Sequence, residues 1–105
     1  MKREQNIQKL IMLALSEAGC LVWRNNVGSY TTVDGAFIRY GVGGVGGSDL
    51  IGIYKPTGQF LAIEVKSPKG KVSPAQINFI EQVRAAGGIA GVARSPDDAV
   101  QLLPR

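Results

Sequence analysis

Asp49, Glu64 and Lys66 are the residues whose types and spacing could do chemistry. They bracket the stretch DLIGIYKPTGQFLAIEVK, in which two apolar runs, 49–54 and 59–66, flank Lys55-Pro56-Thr57-Gly58. Pro suits the second position of a turn and Gly its last, so these four residues read as a hairpin loop. Tyr54 then faces Gln59, and counting back along the antiparallel pair sets Asp49 opposite Glu64. Directly opposed residues have α-carbons roughly 4.5–5.5 Å apart and share a face. Alternation puts Phe60, Ala62, Glu64 and Lys66 on one side of the strand, with Leu61, Ile63 and Val65 on the other.

Two carboxylates held that close repel unless a positive charge lies between them. Mg²⁺ meets that need through one or two carboxylates, several retained waters and the phosphate of a substrate. Lys66 adds a further positive charge where a water or phosphate oxygen would lie. The competing reading is a solvated hairpin face with charges of mixed sign. A slip of one residue in the register would also carry Asp49 to the wrong face.

The chain that must position these groups has 105 residues, enough for one domain with a real core but not for two. Hydrophobic residues make up 45% and charged residues 19%, a balance that argues against disorder. Twelve Lys and Arg against eight Asp and Glu give a net charge of +4, which favours a polyanionic partner. Cys20 is the only cysteine, so an intrachain disulfide and a cysteine zinc site are excluded. No histidine is present, which removes histidine bases, catalytic triads and histidine metal sites. Hydrolysis by this chain has to rely on carboxylates, lysine and a hard metal ion.

In chain order, Ile7, Leu10, Ile11, Ala14, Leu15 and Ala18 recur at helical spacing, and Gly19 stops the pattern. The apolar run 10–15 is too short for a signal core or a membrane span, so this is read as a helix in a cytoplasmic protein with no membrane partner. Glu4 falls about 50° from the centre of the stripe. It is either an acid favoured by the helix dipole or a third carboxylate leaning over the metal face.

Residues 20–25 read as a strand, and 27–48 is the segment hardest to place. Phe37-Ile38-Arg39-Tyr40 fits a short strand or an extended loop. The run from Gly41 to Gly46 spells a literal GxGxxG, but a strand follows it where a dinucleotide site needs a helix. No nucleotide cofactor is expected, and the small residues point instead to close approach of a backbone, either sheet or nucleic acid.

Beyond Lys66, Ser67-Pro68-Lys69-Gly70-Lys71 is a basic loop leaving the edge of the proposed site. Lys69 and Lys71 are suited to hold backbone phosphates. Ser73-Pro74-Ala75-Gln76 is a helix start, with Ser73 as N-cap and Gln76 completing a capping box. Ile77, Ile80 and Val83 supply its buried stripe. Gln76 either serves the cap alone or also hydrogen-bonds a water or phosphate near Lys66. Residues 89–94 form a further strand, and Ser95-Pro96-Asp97-Asp98 opens a short C-terminal helix ending at Leu102-Leu103.

The resulting α-β-β-β-α-β order, with its short last helix, is similar to the PD-(D/E)xK (restriction-endonuclease-like) core, an α/β fold with a mixed sheet flanked by helices. More narrowly, the chain resembles the small stand-alone VRR-NUC (virus-type replication-repair nuclease) domains over almost its whole length, 1–105. The resemblance is carried by Glu4, Arg24-Asn25-Asn26, Gly47-Ser48-Asp49-Leu50, Glu64-Val65-Lys66 and Gln76. Ser48 departs from the proline common before the aspartate in the wider superfamily.

The resemblance implies that Asp49, Glu64 and the Val65 carbonyl bind Mg²⁺ or Mn²⁺, with Glu4 assisting through water or a second ion. It gives Lys66 the attacking water and Gln76 a supporting role, and it puts Arg24 and Asn25 with Lys69 and Lys71 on DNA. The implied reaction is phosphodiester hydrolysis by a homodimer acting on branched DNA such as four-way junctions, in a bacterial or phage-infected cell. Three rivals stand beside it: a nuclease acting on flaps, ends or ordinary duplex, an inert nucleic-acid-binding module of the same fold, and a structural or interaction domain, which would leave the Lys69 and Lys71 loop beside the acids unexplained.

Overall fold

Tyr54 and Gln59 close the central hairpin, and everything else in the fold is registered on it. In the structure, a computed structural model, residues 2–104 are described, with side chains from Glu4 onward. Helix α1 (Lys2–Glu17) leads into β1 (Cys20–Arg24), then β2 (Gly28–Thr31) and β3 (Phe37–Tyr40). A 3-10 turn at Gly44–Gly46 precedes β4 (Leu50–Tyr54) and β5 (Gln59–Val65). Helix α2 (Pro74–Ala85), β6 (Ile89–Ala93) and α3 (Pro96–Gln101) complete the chain.

β4 and β5 pair antiparallel with Tyr54 against Gln59 and Leu50 against Ile63, the register that the Lys55–Gly58 turn dictates. Gly58 takes φ 78°, open to glycine at no steric cost, and its N–H donates to the Tyr54 carbonyl at 2.8 Å. The main sheet runs β1-β4-β5-β6, with β1 and β4 antiparallel. β5 and β6 are parallel and joined through α2, so the sheet is mixed.

One sheet face carries Leu50, Leu61, Ile63, Val65, Ile89 and Ala93, which pack with Ile11 and Leu15 of α1 and Ala99 of α3. Each large aliphatic side chain buried this way is worth about 1.5–3 kcal/mol. The other face is thinner: Ala62 and Ala90 meet Ile80 and Val83 of α2. The alternation read from β5 therefore holds, with Glu64 on the α2 side.

Two helix stripes differ from expectation. On α1, Leu10 is exposed, and the buried line runs through Ile7, Ile11 and Leu15 with Met12 beside it. The helix presents its i, i+4 ridge to the sheet, which turns Leu10 outward. On α2, Ile77 is exposed because Gln76, Ile80 and Val83 face the strands, and Ile77 lies about 100° round from Gln76.

Segment 27–48 contains a second, two-stranded sheet, β2 with β3, separate from the first. Phe37–Tyr40 is thus a strand. The glycine run then folds back against the start of α2, where a Cβ on Gly46 would strike the Ala75 carbonyl. The backbone that needs small residues there is that of a helix. No helix among the described residues is long and apolar enough to cross a membrane.

Candidate active site

The C-terminal ends of β5 and β6, the start of β4 and the first turns of α1 and α2 converge at one end of the main sheet. The paired register continues one step past Leu50–Ile63, bringing Asp49 beside Glu64 on the α2 face. Asp49 is anchored twice. Its carbonyl accepts from the Asn25 N–H at 2.8 Å, and its Oδ2 accepts from the Val65 N–H at 2.9 Å, which leaves Oδ1.

Glu64 is 2% exposed. Its Oε2 accepts from Gln76 Nε2 at 2.9 Å and lies 3.6 Å from the Lys66 ammonium. Its Oε1 is buried with no hydrogen-bond partner. Burial pushes the Glu64 carboxyl up to about 8, the neighbouring Asp49 carboxylate and a hydrogen bond to it push the same way, and Lys66 pulls it down. One ammonium does not offset two acids in so dry a place.

Gln76 closes the expected cap and also reaches a carboxylate, Glu64, where the sequence suggests a water or phosphate. Its Oε1 accepts from the Ser73 N–H at 2.9 Å and the Ser73 hydroxyl accepts from the Gln76 N–H at 3.1 Å, closing the capping box. The amide nitrogen is then the end that reaches Glu64. The cap fixes the rotamer that orients the acid.

An unpartnered buried carboxylate oxygen beside a second acid is a donor set short of a cation, and oxygen donors of this kind suit a hard divalent ion. The Val65 carbonyl belongs to the same strand end, between the two charged residues. Glu4 is placed differently from the third-carboxylate reading. Its Oε2 accepts a long hydrogen bond, 3.4 Å, from the Ser67 N–H. Among the described residues no three acidic side chains gather into one metal-holding group.

The remaining expected residues are spread around this end. Arg24 pairs with Leu50, which puts it on the opposite sheet face from Asp49, and it is exposed. The Asn25 amide donates to the Val42 and Ser48 carbonyls at 2.8 and 2.9 Å and accepts from the Val42 N–H at 3.0 Å. It clamps the glycine loop against the residue before Asp49, and a DNA contact from it would have to break one of these bonds. Lys69 and Lys71 are both exposed on the loop after β5.

In the sequence, Ser48 stands out only as a departure from the family pattern, and Arg94 not at all. Ser48 is 1% exposed with an unpartnered hydroxyl. Arg94 donates from Nη1 to the Ser67 and Gly70 carbonyls at 2.7 Å each and to Pro68 at 3.4 Å. Only the parallel pairing of β5 with β6 brings Arg94 to that loop, and no short-range signal announces such a pairing.

The VRR-NUC domain family model matches residues 2–97. A solved structure of a VRR-NUC domain is similar at 25% identity and a TM-score of 0.62, covering 95% of this chain and 92% of that one. No curated protein matches the chain. The family implies a nuclease, and nucleases of its superfamily generally use divalent metals. The fold, the acid pair on its hairpin and the family match converge: this chain belongs to the VRR-NUC family of PD-(D/E)xK nucleases.

Proposed function

We propose that this protein is a Mg²⁺- or Mn²⁺-dependent DNA endonuclease, selective for branched DNA such as four-way junctions and active as a homodimer. The observation that carries the metal-dependent part is the buried, unpartnered Oε1 of Glu64 beside Asp49. Asp49, Glu64 and the Val65 carbonyl would hold the cation. When bound, it supplies charge stabilisation at the phosphate and lowers the cost of forming hydroxide near neutral pH.

The chain's own residues do the rest. Val65 N–H and Gln76 Nε2 each fix one oxygen of an acid, so the other oxygen is pre-set and little is lost in ordering it. Lys66, 15% exposed in its side chain, offers donors to a water or a phosphate oxygen beside Glu64. Lys69 and Lys71 hold backbone phosphates on one flank, and Arg24 adds charge from the far face of the sheet. Glu4 steadies the strand end through Ser67.

The homodimer draws support from an apolar sheet face that α2 leaves bare. Leu21, Trp23, Ile53 and Phe60 share it, and all four are exposed. It has no charge to offer DNA, and a second copy is the occupant that suits it. Two symmetric sites could then make paired nicks on a two-fold symmetric junction.

The test is cleavage of a labelled four-way junction against linear, nicked and flap DNA of the same sequence. The expected result is nicking of the junction with Mg²⁺ or Mn²⁺, none in EDTA, and none by Asp49→Asn. Equal cutting of linear duplex removes the branch selectivity, and binding without cleavage in any metal makes the chain an inert module.

A further inference from the structure

Ser67 is held from both sides, and the stronger hold comes from a residue outside the acid cluster. Its N–H faces Glu4 of α1, while its carbonyl accepts from Arg94 Nη1 at 2.7 Å. The same nitrogen reaches the Gly70 carbonyl at 2.7 Å and the Pro68 carbonyl at 3.4 Å. A turn between them is closed by the Gly70 N–H donating to Ser67 O at 3.0 Å. Residues 67–70 are therefore wound around one guanidinium.

Arg94 is itself fixed. It follows Ala93 at the end of β6, where the Lys66 N–H donates to the Ala93 carbonyl at 3.1 Å, and its own N–H donates to Asp98 Oδ2 at 2.9 Å. Three carbonyls turned onto the cation leave Lys69 and Lys71 on the solvent side of the loop, and both are exposed. Bonds from a charged donor are shorter and about twice as strong as neutral ones. All three bonds leave one nitrogen, Nη1, at the tip of a planar guanidinium and one bond further out than a lysine ammonium reaches.

We infer that Arg94 is a positioning residue for DNA, which holds the 67–70 loop in one shape so that Lys69 and Lys71 stay on its solvent side, where backbone phosphates can reach them. The inference rests on the nuclease reading above. It assigns Arg94 no contact with the acids and no part in the bond-breaking step.

The test is binding of a fluorescein-labelled duplex oligonucleotide in EDTA, measured from about 50 to 200 mM salt, the range over which phosphate contacts weaken steeply. Lys69→Ala with Lys71→Ala should weaken binding about ten- to thirtyfold near 150 mM salt and reduce the salt slope by about two. Arg94→Lys, which keeps the charge but ends one bond short of Nη1, should weaken binding and reduce the slope nearly as much. Added to the double lysine variant it should do nothing further, because it acts through those lysines. Hydrogen exchange of the free protein should show residues 67–72 loosened by Arg94→Lys, with α2 and the sheet unchanged.

Wild-type binding and slope in Arg94→Lys, or an additive effect in the triple variant, overturns the proposal while the nuclease reading stands. A wild-type protein with no salt-dependent DNA binding removes both. If Arg94→Lys does not fold, the wild type decides: a Gly70 amide exchanging as fast as in an unstructured chain overturns the clamp.

Discussion

Glu64 is buried beside Asp49, and its burial first and that second carboxylate next govern how it titrates. Its carboxyl releases a proton near 4.5 in the unfolded chain but at about 8 in the folded, metal-free protein. The folded state thus binds more protons across that window, so its stability falls as pH rises. Glu64's contribution should be full below about pH 4.5 and lost by about pH 8. Thermal melts in EDTA should show a decline that Glu64→Gln flattens, and a wild-type profile no steeper than that variant's would contradict the assignment. Ser48 poses a simpler case. Its buried hydroxyl has no partner, and an unmade bond of this kind costs about 1–3 kcal/mol. Ser48→Ala should raise stability by about 1 kcal/mol in urea titrations. At this scale the acids and Lys66 are legible in the sequence because a turn of known length fixes their pairing. Arg94 is not, because its partners lie 24 to 27 residues away across a parallel pair.

At the scale of elements, legibility follows from how local the controlling interaction is. The β4–β5 hairpin and the α2 cap are each set within a few residues, and both form as the residues require. The α1 and α2 stripes are less certain to read, since packing against the sheet chooses which ridge faces in, as Leu10 and Ile77 illustrate. Segment 27–48 reads poorly for another reason. β2 and β3 pair only with each other, and their burial pattern is almost wholly exposed, so no alternation marks them. It follows that Phe37→Ser, at 59% exposure, should leave the melting temperature within about 2 °C. A large loss would mean the hairpin packs on the main sheet. Ser73→Ala should instead cost about 1 kcal/mol through the lost cap. Its effect on cleavage should be small, because the Ser73 N–H that holds Gln76 Oε1 belongs to the backbone and survives the change.

For the whole molecule, the family and its fold account for where the chemistry sits, while assembly and substrate choice depend on surfaces. Trp23, at 50% exposure on the bare sheet face, is the side chain that a second copy would cover. Trp23→Glu should shift sedimentation from dimer to monomer and make the melting temperature independent of protein concentration, and a wild type sedimenting as a monomer would rule that face out as an interface. Beneath both questions lies the acid pair. Mn²⁺ titration followed calorimetrically at about pH 8 tests it most directly, because metal and proton compete for Glu64. The account predicts saturable binding in the wild type that is lost in Asp49→Asn and in Glu64→Gln. Binding of equal affinity in either variant would contradict it.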